Sequence, residues 1–266
     1  MARVPLAVAC VIVFCYAPGG RATSVIVDFK ADRIIVVADS RVGVDNAKGL
    51  GFRDDYCKLV VMDKRVVFST KGTAEYKHNS QHDPVPEWDA REEARTAFAS
   101  VPDHDLRKVA DVWGSRVTED FRTWYRADSK RVQGFVNSAE YILVGIFAGQ
   151  TSQGRLAVFY VPIWFIATIP QPLQYEVREY PPREIPYAFE SITQELLERD
   201  TSRAKDVDAD WRRMSKTIPA KERNVRWLEY LLKRTGNYDR RVGGPPNAIE
   251  ITPGFPASWL AKNTCK

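Results

Sequence analysis

The sequence has few of the residues that most metal, redox and phosphate-binding sites require. It contains three histidines and four cysteines, with no Cys-x-x-Cys and no His-Glu-x-x-His pattern. It also lacks a glycine-rich phosphate loop and the strand–helix–strand alternation that accompanies one. These absences argue against a zinc site, a dithiol redox centre and a nucleotide-binding fold, so we expect no metal and no cofactor.

One histidine pair needs a separate interpretation. His78 and His82 lie four residues apart in HNSQH, a spacing at which two imidazoles could ligate a metal from one face of a helix. Asn, Ser and Gln stand between them and Pro84 follows closely, which is typical of a polar loop. The loop interpretation is favoured.

Blocks of like charge are also missing. The formal net charge is +5, and two of these charges, Arg3 and Arg21, lie in the first 22 residues. Elsewhere basic and acidic residues are interleaved, as in REEAR and DADWRR. This pattern is typical of a solvated mixed surface, and we expect no nucleic-acid partner.

The one long apolar run that we single out for targeting is at the N-terminus. Val4–Ala17 is 14 residues long, too short to span a bilayer but suited to the apolar core of a signal peptide. Arg3 precedes it, a Pro-Gly-Gly break follows at Pro18, and Gly20 and Ala22 are the small residues that a signal peptidase reads. We therefore expect residues 1–22 to be a signal peptide, with no stable membrane span and a periplasmic or extracellular mature protein. An uncleaved anchor and a buried first strand are the alternatives.

Cleavage there would leave two cysteines, Cys57 and Cys265. An exported protein can oxidise such a pair, but two cysteines far apart in the sequence do not define a disulfide framework. The sequence leaves their pairing open.

The rest of the chain alternates blocks of strands with pairs of helices. TSVIVDF and RIIVVADS around a short KAD turn predict one hairpin, and KLVVMD and RVVFSTKG around Lys64 predict a second. Two helices are predicted from Glu87, the second after Pro102 with Asp103 or Asp105 as its cap. Strands return in AEYILVGIFAG and RLAVFYVPIWFIATI, followed by helices in YAFESITQELLERD and KERNVRWLEYLLKRTG and a strand pair in NAIEITPGFPASWLAK. This order predicts an α+β layered sandwich in one domain, residues 23–266.

The two predicted hairpins bring four suitable residues to one end of a sheet. A first hairpin centred on Ala31 places Thr23 opposite Asp39. A second, centred near Lys64, places Lys58 beside the segment that ends at Gly72. If consecutive hairpins share one antiparallel sheet, all four residues meet at its end.

Each of the four is suited to one kind of reaction. A threonine hydroxyl needs a base, and an α-amino group with an ordinary pKa of about 8 can serve if Thr23 is the N-terminus. The Lys58 ammonium would lower the pKa of that amine, and the Asp39 carboxylate would keep the lysine charged and in place. The backbone N–H of Gly72 could receive an oxyanion.

This part of the sequence resembles the start of a mature proteasome β-subunit, in the N-terminal nucleophile (Ntn) hydrolase superfamily. The resemblance is carried by ADSR at 38–41, KL at 58–59 and GTA at 72–74, with Asp39 lying 16 residues after Thr23. Near the C-terminus, YDRRVGGPPNAIEIT resembles the β-subunit segment in which an Asp and a Gly-Gly precede a strand. The matched parts are residues 23–75 and, less closely, 237–252.

The resemblance implies a role for each of five residues. Thr23 would be nucleophile and base, Asp39 and Lys58 the supporting pair, Gly72 an oxyanion donor and Asp239 a second acid near the amine. It also implies a four-layer αββα sandwich, which we predict with both hairpins in one sheet and the helices of residues 87–126 packed on one side.

The sequence departs from the family pattern at several positions. About three extra residues separate Asp39 from Lys58, Val242 stands where the family has a serine, and Ser191 is a weak substitute for a Gly-Ser-Gly. Ala22, not the glycine used for self-cleavage, precedes Thr23, which fits exposure by signal peptidase.

These patterns predict an exported threonine-type hydrolase of a peptide or small amide substrate, with a possible homo-oligomer implied by the resemblance. We expect Lys58→Ala to abolish activity with a modest change in stability. Two alternatives stay open. One is a catalytically decayed, secreted proteasome-like scaffold or interaction protein, and the other is an amidase of the superfamily that cuts a small amide and not a peptide.

Overall fold

The structure is a computed structural model that describes residues 24–46, 49–76, 87–135, 141–166, 173–189, 191–219 and 222–265. The predicted signal peptide, Thr23, His78 and His82 lie outside these residues. In the part of the chain that is described, no helix is long and apolar enough to cross a membrane.

The elements follow one another in strand and helix blocks. The strands are β1 Val25–Phe29, β2 Ile34–Ala38, β3 Val42–Asn46, β4 Gly49–Arg53, β5 Leu59–Met62, β6 Val66–Gly72, β7 Glu75–Tyr76, β8 Trp88–Asp89, β9 Tyr141–Gln150, β10 Leu156–Phe165, β11 Leu173–Tyr175, β12 Arg178–Tyr180, β13 Tyr187–Ala188, β14 Asn247–Ile251 and β15 Ser258–Ala261. The helices are α1 Ala90–Ser100, α2 Leu106–Ala127, α3 Ser129–Gln133, α4 Ser191–Leu197, α5 Ser202–Met214 and α6 Arg223–Tyr238.

Two antiparallel sheets form the centre of this mixed α/β fold. One has the strand order β13-β1-β2-β14-β15, and the other has the order β11-β10-β9-β6-β5 with β12 also paired to β10. The prediction that both hairpins share a sheet is therefore wrong: β1–β2 belongs to the first sheet and β5–β6 to the second. The free edge of β2 is taken by β14 and that of β6 by β9, so each hairpin continues its own sheet.

The register of the first hairpin also differs from the prediction by one residue. Val25 pairs with Ala38, which puts Ser24 rather than Thr23 opposite Asp39. The reason is the turn, which has four residues closed by the bond from Lys30 N–H to Arg33 O at 2.9 Å. The second hairpin is centred on Lys64 as predicted, with Leu59 opposite Ser69.

Successive side chains of β1 and β2 point to opposite faces of the first sheet, and the side chains on both faces are buried. Val25, Val27 and Val36 join a core cluster with residues of the second sheet, among them Val67 and Ile146. Their sequence neighbours point the other way, as Ile26 and Val37 do, and pack with Leu228 and Leu231 of α6. The first sheet thus has the second sheet on one face and helices on the other.

Helices α1 and α2 cover the outer face of the second sheet. Trp113 of α2 lies with its ring centre 5.4 Å from that of Phe68 and 5.8 Å from that of Phe147. Asp105 caps α2 by accepting a hydrogen bond from Lys108 N–H at 2.9 Å, one of the two caps expected. The prediction that these helices pack together on one side of a sheet is confirmed.

The helical block near residue 200 was predicted least well. Tyr187–Ala188, expected to begin a helix, is strand β13 paired to β1, and α4 covers only Ser191–Leu197. Helix α5 was not predicted, because only Ala204 and Val207 are buried on its inner face and the apolar stripe is therefore thin.

Candidate functional site

Asp39 and Lys58 form an ion pair at the ends of the two sheets. Asp39 directly follows β2, and Lys58 directly precedes β5. Lys58 Nζ lies 2.8 Å from Asp39 Oδ1, and each side chain is 1% exposed. The two predicted partners therefore meet, although they come from different sheets, because the sheets stack with these strand ends adjacent.

The Asp39 carboxylate is saturated with hydrogen-bond donors. Besides Lys58, Oδ1 accepts from Ser24 N–H at 2.9 Å. Oδ2 accepts from Gly243 N–H at 3.1 Å and from Arg41 N–H at 3.3 Å. Four donors of this kind favour the ionised carboxylate and fix its orientation.

Burial and pairing act in opposite directions on both groups. Burial raises the pKa of Asp39, and the charge and hydrogen bond of Lys58 oppose that increase. Burial also lowers the pKa of Lys58, opposed by the charge of Asp39. Lys58 is thus buried away from water with the Asp39 carboxylate as its counter-ion, and its charge acts strongly on neighbouring groups.

A second charged contact closes the site on its solvent side. Arg41 binds Asp54 through two hydrogen bonds, Nε–Oδ1 at 2.7 Å and Nη2–Oδ2 at 2.8 Å. Its remaining nitrogen donates to Arg240 O at 2.8 Å. Gly243 packs closely beside it, and a Cβ there would lie 2.6 Å from Arg41 Cζ, so a larger residue would displace the guanidinium. The ADSR and Gly-Gly segments of the sequence are thus in contact.

A chain of buried hydroxyl groups holds Ser24, and the sequence analysis did not identify it. Ser24 Oγ lies 2.9 Å from Thr193 Oγ1, which lies 2.7 Å from Thr235 Oγ1. Thr235 donates to Leu231 O at 2.9 Å, so the protons of the other two hydroxyls point along the chain toward it. Thr235 falls on the apolar stripe of α6, and a hydroxyl in such a stripe was the only available signal.

The backbone around Gly72 leaves no room for a side chain. It ends β6 with a φ of +98°, and a Cβ at this position would lie 2.5 Å from Ile142 O. Lys58 lies one residue before Leu59, which pairs with Ser69, so Gly72 belongs to the same end of this hairpin. The structure therefore accounts for the glycine through close backbone approach, and its oxyanion role stays a prediction.

Asp239 is occupied by a neighbour along the chain. It caps the C-terminal end of α6, and Arg241 binds its carboxylate through Nε–Oδ1 at 2.9 Å and Nη2–Oδ2 at 2.7 Å. Burial raises the pKa of Asp239, but the hydrogen bonds and charge of Arg241 lower it by more, so it lies below the ordinary value. Asp239, a predicted site residue, and Arg241, which was not predicted, thus form an ion pair separate from the Asp39–Lys58 pair.

The loop after α6 connects the two acids. Val242 N–H donates to Asp239 O at 3.0 Å, and the next residue, Gly243, donates to Asp39. Val242 itself is 1% exposed and offers no hydroxyl. A groove of about 1110 Å³ lies between this loop, α6 and β15, with Asp39 buried among its lining residues.

Cys57 and Cys265 form a disulfide with their Cα atoms 4.7 Å apart. This answers the question that the sequence left open. The bond ties the C-terminal end of the described chain to the residue next to Lys58.

No protein-family model matches this chain, and no curated protein sequence matches it. Among solved structures, the chain is similar to a Gly-1 mutant of Anbu from Hyphomicrobium sp. strain MC1. The TM-score is 0.50 and the sequence identity 13%, over 91% of this chain and 88% of that chain. At this identity the likeness shows the fold alone, which is proteasome-like without indicating a particular subunit.

Proposed function

We propose that the mature protein is an exported threonine-type Ntn hydrolase that cleaves a peptide or small amide bond with Thr23 as its N-terminal nucleophile. One observation carries this proposal: the Asp39 carboxylate, which is buried and paired with Lys58, also accepts a hydrogen bond from Ser24 N–H. Thr23 lies outside the described residues, but its carbonyl carbon is bonded to that Ser24 nitrogen. A fixed Ser24 therefore supports a nucleophile next to the lysine.

The proposed reaction uses one residue as both nucleophile and base. The Thr23 amine takes the hydroxyl proton as Oγ1 attacks the amide carbonyl carbon, and the Lys58 ammonium keeps the amine neutral beforehand by lowering its pKa. The Gly72 N–H stabilises the resulting oxyanion. The ammonium formed at Thr23 then protonates the leaving amine as the C–N bond breaks, which leaves an ester on Thr23. Water, deprotonated by the same amine, hydrolyses the ester.

The finer architecture is part of the proposal. We assign the chain to the four-layer αββα sandwich over residues 23–266. Three apolar clusters support this assignment: one between α1–α2 and the second sheet, one between the sheets, and one between the first sheet and α4–α6.

Export is proposed from two independent features. The first is the signal-like pattern of residues 1–22. The second is the Cys57–Cys265 disulfide, a bond that persists in oxidising compartments and is rare in the cytosol. Together they support a periplasmic or extracellular protein.

A second candidate function is a decayed scaffold that keeps the fold without the reaction. It is favoured by the Asp239 carboxylate being held by Arg241 and by the apolar Val242 beside it. In this case cleavage of the signal peptide would make Thr23 the N-terminus, but Thr23 would be unreactive.

The deciding experiment labels the exported protein with an electrophile that requires both the amine and the hydroxyl of an N-terminal threonine. We expect N-terminal sequencing to start at Thr23 and labelling to occur there. Thr23→Ala and a chain that retains residues before Thr23 are the controls, and neither should label, because the first lacks the hydroxyl and the second lacks a free amine. A mature chain that starts at Thr23 but neither labels nor cleaves any amide would overturn the hydrolase in favour of the scaffold.

A further inference from the structure

A set of contacts at the C-terminus, here called the C-terminal clasp, joins Asn247, Thr264 and Cys265 to Tyr56 and Cys57. Asn247 is fully buried, and its Oδ1 accepts from Asn263 N–H at 2.9 Å and Thr264 N–H at 3.0 Å. Its Nδ2 donates to Thr264 Oγ1 at 2.7 Å, which in turn donates to Tyr56 O at 3.3 Å. The disulfide then joins Cys265 to Cys57. Every polar atom of the Asn247 side chain is thus used to hold the last residues in place.

The clasp runs between chain segments that adjoin the two residues of the ion pair. At one end, Asn247 begins β14 and pairs with Ala38, the residue before Asp39. At the other end, the clasp reaches Cys57, the residue before Lys58. The two partners of the ion pair belong to different sheets, so their separation depends on how the sheets are held together at this end.

Lys58 lies outside the paired part of its own strand. The ladder between β5 and β6 begins at Leu59, so Lys58 is held between the ladder and the clasp. Two other contacts hold the segment before it: Tyr56 N–H donates to Ser40 O at 3.2 Å, and Arg91 Nη1 donates to Cys57 O at 2.9 Å. Loss of the disulfide should therefore loosen this segment locally rather than unfold it.

We infer that the C-terminal clasp is a positioning element that keeps Lys58 in contact with Asp39, and that its disulfide makes the site sensitive to reduction. In its catalytic part this inference rests on the proposed function. Reduction by a dithiol such as dithiothreitol transfers two electrons and two protons, giving two cysteine thiols and the oxidised reagent. The freed segment then allows Lys58 to leave the carboxylate.

The charges around Lys58 determine what such a movement would do. Asp39 and Asp54 attract its ammonium, and Arg41 repels it. A Lys58 that has moved away no longer lowers the pKa of the Thr23 amine, so more of that amine is protonated at neutral pH. Labelling of Thr23 is then slower at neutral pH, and a higher pH is needed to reach the wild-type rate.

The experiment compares the exported wild-type protein with the Cys57→Ser/Cys265→Ser double variant. Hydrogen exchange followed by mass spectrometry measures the opening of residues 54–60, and the pH dependence of Thr23 labelling measures the amine. We expect faster exchange confined to this segment, a labelling midpoint about one pH unit higher and labelling ~10-fold slower at pH 7. Wild-type protein treated with dithiothreitol should behave in the same way. Thr264→Val, which removes one hydroxyl of the clasp, gives a milder second variant in case the double variant folds poorly.

A matched control removes a similar set of bonds at the far end of β14, where Gln150, the last residue of β9, contacts the residues that follow β14. Gln150 Nε2 donates to Thr252 O at 2.9 Å and Phe255 O at 2.8 Å, and its Oε1 accepts from Gly254 N–H at 3.1 Å. Gln150→Ala should lower the melting temperature without moving the pH midpoint, because it does not touch the strand end that carries Lys58.

The outcomes separate the two proposals. Unchanged exchange at residues 54–60 in the cysteine variant overturns the clasp, whatever the labelling shows. Faster exchange with an unchanged pH midpoint overturns its positioning role and leaves the disulfide purely stabilising. If wild-type Thr23 never labels, the hydrolase is overturned, and the exchange data alone decide whether the clasp holds the Lys58 segment.

Discussion

Two acid–base pairs lie at the same end of the molecule and differ in how they are made. Asp39 and Lys58 come from strands of different sheets, and each side chain is 1% exposed. Asp239 and Arg241 are two residues apart, and the Arg241 side chain is 47% exposed. Both are ion pairs, but in the second pair water reaches the arginine, whereas the Asp239 side chain is 6% exposed beneath it.

The difference decides what each pair can contribute. Removing one partner of a sealed pair leaves a charge without water or a counter-ion, whereas removing an exposed arginine leaves a carboxylate that water can solvate. A sealed ammonium also acts on its surroundings through a low dielectric, which is what the proposed activation of Thr23 requires. The sealed pair is therefore the one we assign to catalysis.

Lys58→Ala should have the largest effect. The modest change in stability expected from the sequence does not fit the burial of Lys58, and we now expect a loss of about 3–5 kcal/mol because Asp39 is left uncompensated. Thr23 labelling should also disappear. Lys58→Arg should label no better, because a forked guanidinium does not fit the space of a compact ammonium. Denaturant unfolding and labelling measure the two effects, and wild-type labelling by either variant would refute the role of Lys58.

A neutral pair separates stability from activity. Asp39→Asn/Lys58→Met removes both buried charges and keeps one of the two oxygens that accept backbone N–H groups. We expect it to recover a substantial part of the stability lost in Lys58→Ala, while Thr23 stays unlabelled. If the double variant is no more stable than Lys58→Ala, an uncompensated charge is not the cause of the loss.

Gly72→Ala should come next, with Gly154→Ala as its matched control. Both glycines have a positive φ, +98° and +76°, but a Cβ at Gly72 would meet Ile142 O at 2.5 Å whereas one at Gly154 meets nothing within 4 Å. The control should lose about 1–2 kcal/mol from backbone strain alone, and Gly72→Ala at least ~3 kcal/mol. Equal losses in unfolding free energy would show that the approach to Ile142 does not constrain this position.

Arg241→Ala should have the smallest effect, a loss of about 1 kcal/mol or less at neutral pH. Because Arg241 holds the pKa of Asp239 below its ordinary value, the pair stabilises the fold above that value, near pH 4, and the benefit is lost as the pH falls through the lowered pKa. Unfolding free energies of wild type and Arg241→Ala should therefore differ at pH 7 and converge toward pH 2. A difference that persists at low pH would mean that Arg241 acts through other contacts. Unchanged labelling would fit a structural pair, whereas a large loss of labelling would bring Asp239 into the site.

Local signals in the sequence determined the longer elements and the identity of the pair, but not α5 or β13. Apolar periodicity predicted the hairpins, α2 and α6, because side-chain burial on one face leaves a pattern in the sequence. The two predicted hairpins placed Asp39 and Lys58 at strand ends that were expected to meet, and the structure brings them to 2.8 Å, although the shared sheet assumed for that meeting is wrong. The segment with Gly243 was recognised by its Gly-Gly, and its amide donates to Asp39.

The tertiary structure alone decided which sheet each hairpin joins. Strands pair through backbone groups that are the same for every residue, so the edges of β2 and β6 carry no side-chain signal that would name β14 or β9 as partners. Backbone pairing likewise gave no signal for the register of the β1–β2 hairpin. This register is set by the four-residue turn and differs from the prediction by one residue. The Cys57–Cys265 bond, 208 residues apart, and the burial of Lys58 also arise only when the two sheets stack. A short stretch of sequence records which side chains prefer to be buried, but the depth of a charge depends on everything that packs around it.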